Sequence, residues 1–180
     1  MHFLINFAAF QIGWFSAVLG AANGMPWLGP LTFAGVLAIH LRIASRPDLE
    51  VGLVIASGVI GFYFDSLLVA QGWVSYPSGL VSDSFAPYWI VTMWMLFATT
   101  LNVSMRWLRD NRALAALFGA VGGPLSYLAG AKLGGIVFVD QVAALVALAI
   151  GWAVAMPLLM ALSKRLDGVA APRAVREESR

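Results

Sequence analysis

The sequence predicts an all-α polytopic membrane protein: a compact bundle of six transmembrane helices with both termini in the cytoplasm. Three observations carry that expectation. Hydrophobic residues fill 61% of the 180 positions and charged residues only 11%, against roughly a quarter charged in a soluble domain. The apolar residues gather in six runs, each near the length needed to cross about 30 Å of hydrocarbon at about 1.5 Å per residue. Ten of the eleven Lys and Arg residues fall on the segments that six alternating spans would place on one side, and a cationic side is a cytoplasmic side.

The spans are expected at 3–22, 28–44, 51–71, 88–105, 113–131 and 136–162, together a transmembrane domain over 1–166, with 167–180 a polar, disordered cytoplasmic tail. Local chemistry sets the breaks. Asn23-Gly24-Met25-Pro26 is a turn signal, and Pro26 and Pro30 stand where helix-initial amides are unpaired anyway. Arg46-Pro47-Asp48 ends the second span, a longer loop opens at Pro77-Ser78-Gly79 and closes at Pro87, and Asp110-Asn111 divides the fourth span from the fifth. Arg42 and Arg46 flank the second loop, Arg106, Arg109 and Arg112 the fourth, and Lys164, Arg165, Arg173, Arg176 and Arg180 lie at the tail. Only Lys132 lies on the other side. A cleaved signal peptide is the competing reading of the first span, because Gly20, Ala21 and Ala22 are small. Against it, residues 1–5 hold no Lys or Arg, and cleavage would leave an odd number of spans. Trp27, Trp73, Tyr76, Tyr88 and Trp89 cluster at the outer span ends, where an interfacial aromatic belt belongs.

Missing parts exclude several functions. With no Cys there are no disulfides, thiol nucleophiles or thiolate metal sites. His2 and His40 are the only histidines, so an HExxH metal pair cannot form and no metal or other cofactor is expected. A membrane serine protease of the rhomboid kind needs a GxSG turn on one span and a His on another; Ser78-Gly79 lies in a loop after Pro77, with no matching His. Gly122-Gly123-Pro124 lacks the Lys-Ser or Lys-Thr of a phosphate loop and reads as a small-residue packing segment kinked at Pro124. The basic pI of about 9.3 reflects short topogenic clusters, so nucleic acid is not an expected partner.

Depth converts the remaining polar residues into a candidate site. Asp65 interrupts an otherwise apolar run and costs several kcal/mol unless paired, hydrated or protonated. Counted from Val51 it lies about 21 Å into the bilayer, in the outer third. Tyr127 and Trp94 reach the same level, while Lys132 and Asp140 bracket the short last outer loop within snorkelling reach. Asp65, Trp94, Tyr127, Lys132 and Asp140 are therefore the candidate ligand- or ion-binding layer. Asp65 either binds a substrate, cation or proton there, or fixes helix register as a neutral or Lys132-paired group. Gln11 and Asn102 are secondary polar candidates; with Asn6 they suit hydrogen bonds between helices. His40, close to Arg42, reads as an interfacial, hydrated imidazole. Gly58, Gly61 and Asp65 share one helix face, and Gly119, Gly123, Tyr127 and Gly130 another, so both stripes should face neighbouring helices. The fragments around Phe62–Asp65 and Phe138–Asp140 hint at an inverted repeat, though chance accounts for so short a match.

The segments APYWIVTMWMLFATTLNVSMRWL and GAVGGPLSYLAGAKLGG, with NFAAFQIGW and the Phe-x-x-Asp-Ser of Phe62 to Ser66, resemble a bacterial inner-membrane family of unknown function, the domain-of-unknown-function family numbered twenty-eight seventy-eight. The resemblance covers nearly all of residues 3–163 and implies a short hydrophobic protein encoded near genes of fatty-acid or membrane-lipid modification. It brings no catalytic residue. Size and span number are also similar to the substrate-capturing subunits of energy-coupling-factor vitamin transporters, and Ala17-x-x-x-Ala21 loosely matches their docking motif. Three functions follow as expectations: binding or transport of a small hydrophobic or lipid-related molecule through the Asp65 layer; an enzyme or enzyme-accessory role in lipid modification, using Asp65 and Asp140 as an acid–base pair; or an oligomeric membrane scaffold. The expected partners are membrane lipids, a small hydrophobic ligand, and a second copy or a membrane or soluble protein.

Overall fold

Six α-helices build the chain: α1 (His2–Ala22), α2 (Leu28–Ile43), α3 (Pro47–Ala70), α4 (Tyr88–Leu101), α5 (Arg112–Lys132) and α6 (Gln141–Arg165). The computed structural model describes residues 2–169; the rest of the expected tail, with Arg173, Arg176 and Arg180, lies outside the described residues. α1, α3, α5 and α6 are long and apolar enough to cross a membrane, whereas α2 and α4 are shorter apolar helices of 16 and 14 residues. Helix is the economical choice for such sequences, because apolar surroundings offer backbone amides no other partner.

The α1–α2, α3–α4 and α5–α6 connections meet at one end. There β1 (Val74–Ser75) and β2 (Val137–Phe138) pair antiparallel, with Val74 opposite Phe138. This is the sheet end. The opposite, arginine end holds the α2–α3 and α4–α5 connections and residues 166–169 after α6. Helices arriving at the sheet end stop in the same way. At α3 the N–H of Gly72 bonds Val69 O and that of Trp73 bonds Leu68 O; at α5 Gly134 bonds Ala131 O and Gly135 bonds Gly130 O. These pairs define a Schellman stop, which needs the positive φ that Gly72 (68°) and Gly134 (88°) supply. Asn111 and Asp140 start α5 and α6 by accepting from Leu114 N at 2.9 Å and Ala143 N at 3.0 Å.

α4 is the central helix, packed on α1, α2, α3 and α6, while α5 packs on α6. Small residues permit these approaches. A Cβ on Gly119 or Gly123 would overlap Trp152, and one on Gly58 would press into Met95, so both glycine stripes are contact faces as their spacing predicts. Several element boundaries differ from the sequence reading: α3 begins at Pro47, four residues before Val51, and α6 runs on to Arg165. The fourth helix stops at Leu101 rather than continuing to Met105, because the Asn102 side chain turns into a polar cluster and the chain proceeds through a 3-10 turn at Arg106–Leu108. The sixth begins at Gln141, residues 137–138 being taken by β2.

Candidate functional site

The Asp65 carboxylate is fully buried and faces three donors from three elements. Tyr76 Oη and Tyr127 Oη donate to Oδ1 at 2.6 and 2.7 Å, and Trp94 Nε1 donates to Oδ2 at 2.7 Å. Every partner is a donor, the arrangement that an acceptor-only carboxylate requires. Tyr76 comes from the α3–α4 loop just beyond β1, and burial, followed by the nearby Asp65 charge, raises its phenol well above the usual range, so it stays protonated and donates. The same loop is fastened by Ser78 Oγ to Ala21 O at 2.7 Å, Trp89 Nε1 to Ser78 O at 3.1 Å, and Ala86 N to Ser66 Oγ at 3.0 Å. Tyr76 and Trp89, expected in an outer aromatic belt, are instead buried; Trp27 and Tyr88 remain exposed. The loop folds inward because Tyr76 finds a carboxylate there.

Trp94 carries the geometry further. Its ring lies where a Cβ on Gly61 would sit, its carbonyl accepts from Ser57 Oγ at 2.8 Å, and its indole stacks on Trp152 with centroids 4.3 Å apart and planes at 14°. Phe97 meets Trp152 edge-on at 5.5 Å. Trp94, Trp152 and Tyr127 then form part of the wall of a cavity of about 200 Å³, completed by Phe10, Trp14 and Val18 of α1, Trp89, Met93 and Phe97 of α4, and Phe118, Gly119, Gly122 and Gly123 of α5. Asp65 stands behind this wall and does not line it.

The expected layer therefore assembles in part. Asp65, Trp94 and Tyr127 come together. Lys132 is exposed and makes no ion pair with Asp65 among the described residues, so the Lys132-paired reading of Asp65 is corrected: three neutral donors replace the cation. Asp140 is exposed and caps α6, and no hydrogen bond joins it to buried Asp65 among the described residues. Gln11 borders a shallow surface groove on α1.

A second buried polar cluster lies at the arginine end. Glu50, 0% exposed, accepts from His40 Nε2 at 2.7 Å, Asn102 Nδ2 at 2.5 Å and Gly168 N at 2.7 Å. Asn102 Nδ2 also reaches Leu166 O at 3.0 Å, its oxygen accepts from Arg109, and Asp167 binds Arg106 at 2.8 Å and Arg109 at 2.7 Å. His40 is thus a buried partner of Glu50 and not a hydrated interfacial side chain. Asn6 bridges helices as expected, donating to Thr99 O at 3.0 Å and accepting from Ser104 Oγ at 2.7 Å. The sequence reading passed over Glu50 because it precedes the apolar run; its spacing of seven from Ser57 and eleven from Gly61, which puts it on the contact face of α3, was the available signal.

The fold is all-helical, with four helices long and apolar enough to cross a membrane, which points to the class of helical membrane proteins. The chain belongs to the family described as "Protein of unknown function (DUF2878)", whose model matches residues 3–158. No curated protein and no solved structure matches it.

Proposed function

We propose that the protein is a multi-pass protein of the bacterial inner membrane that binds, and in a transport cycle carries, a small hydrophobic or lipid-related molecule in the aromatic cavity. The cavity is the supporting observation. Its wall is apolar and aromatic, and two of its side chains, Trp94 and Tyr127, are set in place by hydrogen bonds to Asp65. A carboxylate used behind the wall orients a site without charging it, and preorganised apolar sites suit apolar ligands. Lipid-modification chemistry has less support, since Asp140 caps α6 at the surface while Asp65 is buried.

In this reading all six helices cross the bilayer. Arg42, Arg46, Arg106, Arg109, Arg112, Lys164 and Arg165 lie toward the arginine end and Lys132 toward the sheet end, which favours a cytoplasmic arginine end and cytoplasmic termini. Reporter fusions at the carboxyl end test that placement, and a periplasmic signal contradicts it. For the ligand, protein purified in mild detergent should carry a hydrophobic molecule visible as added mass in native mass spectrometry. Gly122→Leu, which fills the cavity, should lose it; equal added mass on both proteins would remove the cavity from the function.

A further inference from the structure

We infer that the cavity receives one acyl chain of a bilayer lipid, inserted sideways between α1 and α5 with the headgroup left outside. This rests on the hydrophobic-binding reading and names its ligand class.

Shape is the first argument. The lining runs from Phe118 to Tyr127 along α5 and from Phe10 to Val18 along α1, about 13 and 12 Å at 1.5 Å per residue. A space running lengthwise between helices suits a chain. Polarity is the second. No charged side chain lines the cavity, and Tyr127 and Trp94 are committed to Asp65, Trp89 to Ser78 O and Ser126 to Gly123 O. Trp152 Nε1, buried without a hydrogen-bond partner among the described residues, adds one neutral donor; with no charged lining group to offset a charged headgroup, it is the hydrocarbon that enters.

Access is the third argument, and it selects the source. α1 and α5 barely touch each other, and the lining residues Trp14, Met93, Phe97 and Gly122 keep partial exposure although they belong to helix middles. The cavity therefore opens through the gap between those two helices. Both are long and apolar enough to cross a membrane, and on them Phe15, Val121 and Leu125 are exposed. The medium against such faces is lipid chains. Gly122 keeps the gap wide: a Cβ there would meet only Phe118, at 3.8 Å.

The test uses the full chain in vesicles of phosphatidylcholine carrying a diazirine in one acyl chain, with adducts mapped by peptide mass spectrometry after irradiation. Adducts are expected on inward-facing residues such as Phe10 and Trp14 as well as on outward-facing Val121 and Leu125. Gly122→Leu should lose the inward adducts and keep the outward ones, and Gly122→Ala, which the spacing accommodates, should lose part of them. Labelling confined to outward faces, unchanged by Gly122→Leu, overturns the inference. In that event labelling by adamantyl diazirine, a compact apolar probe, separates the two readings. If its inward adducts depend on Gly122, a compact hydrophobic ligand remains and only the chain is wrong; if there are none, the hydrophobic-binding reading falls too.

Discussion

The indole N–H of Trp94 reaches Asp65 Oδ2 at 2.7 Å, across a helix contact opened by Gly61. One side chain thereby ties the buried carboxylate to the cavity, since its other face stacks on Trp152 at 4.3 Å. Where packing and hydrogen bonding must replace the hydrophobic drive between helices, a residue that supplies both has large leverage.

Trp94→Phe keeps an aromatic face toward Trp152 and deletes the donor. Loss of a hydrogen bond to a carboxylate should cost about 1.5–3 kcal/mol, read as a lower thermal midpoint in detergent. Asp65→Asn should cost more, because its amide N–H₂ would face donors from Tyr76, Tyr127 or Trp94. A midpoint unchanged in both variants would show that the cluster does not contribute to stability.

Tyr76 and Tyr127 share Asp65 Oδ1. Removing one hydroxyl leaves the other in place, so Tyr76→Phe and Tyr127→Phe should be individually milder than the double variant predicts by addition. The coupling should fall within about 0.5–3 kcal/mol. Strict additivity in a double-mutant cycle would mean that the two donors act independently.

Gly61→Ala and Gly35→Ala separate packing from helix propensity. A Cβ at Gly61 collides with the Trp94 ring, whereas at exposed Gly35 it meets nothing within 4 Å. The first should lose about 1–3 kcal/mol through overpacking, and the second should gain about 0.5–1 kcal/mol from helix propensity. The opposite order in unfolding midpoints would contradict the α3–α4 contact.

Asp65, Trp94 and Tyr127 were legible because each lies in a regular apolar helix, where counting residues gives depth and face. The same count placed Lys132 and Asp140 at that level but could not give their direction: exposed Asp140 is spent on starting α6. Tyr76 was illegible for a related reason, since a loop has no period and its return beneath Asp65 depends on Ser78, Ala86 and Trp89 contacts far apart in sequence. Glu50 precedes the apolar run and draws no reading, His40 reads as an interfacial imidazole, and the three-dimensional return of residues 166–168 onto Glu50 and Asn102 is not encoded in any local spacing.

Asp110 offers a pH test. Lys164 Nζ lies 2.8 Å from its Oδ1 and holds this exposed carboxyl below its ordinary value, by the hydrogen bond first and the charge second. A carboxyl lowered by folding adds stability that is present above its unfolded pKa and is lost as pH falls through the folded value. Solvent screening keeps the contribution small. Lys164→Gln should move the Asp110 titration back up toward 3.8, followed by carboxyl carbon NMR; an unmoved titration would break the assignment.

Glu50 should act as the anchor of the segment after α6. It receives the Gly168 amide directly, while Asn102, itself bound to Glu50, takes Leu166 O. Glu50→Ala deletes the shared acceptor and strands His40, Asn102 and the amide together, so a loss of about 3–5 kcal/mol is expected, as for removing one partner of a buried charged pair. Arg109→Ala should be milder, because Arg106 still holds Asp167 at 2.8 Å. Hydrogen exchange distinguishes a local anchor from general destabilisation. In Glu50→Ala the Gly168 amide should exchange faster under conditions where the Asp65 cluster at the other end keeps Trp94 indole protection. Equal protection of Gly168 in wild type and variant would show that this segment is held without Glu50, by the arginine pairs and the bonds to Leu166 O and Gly168 O.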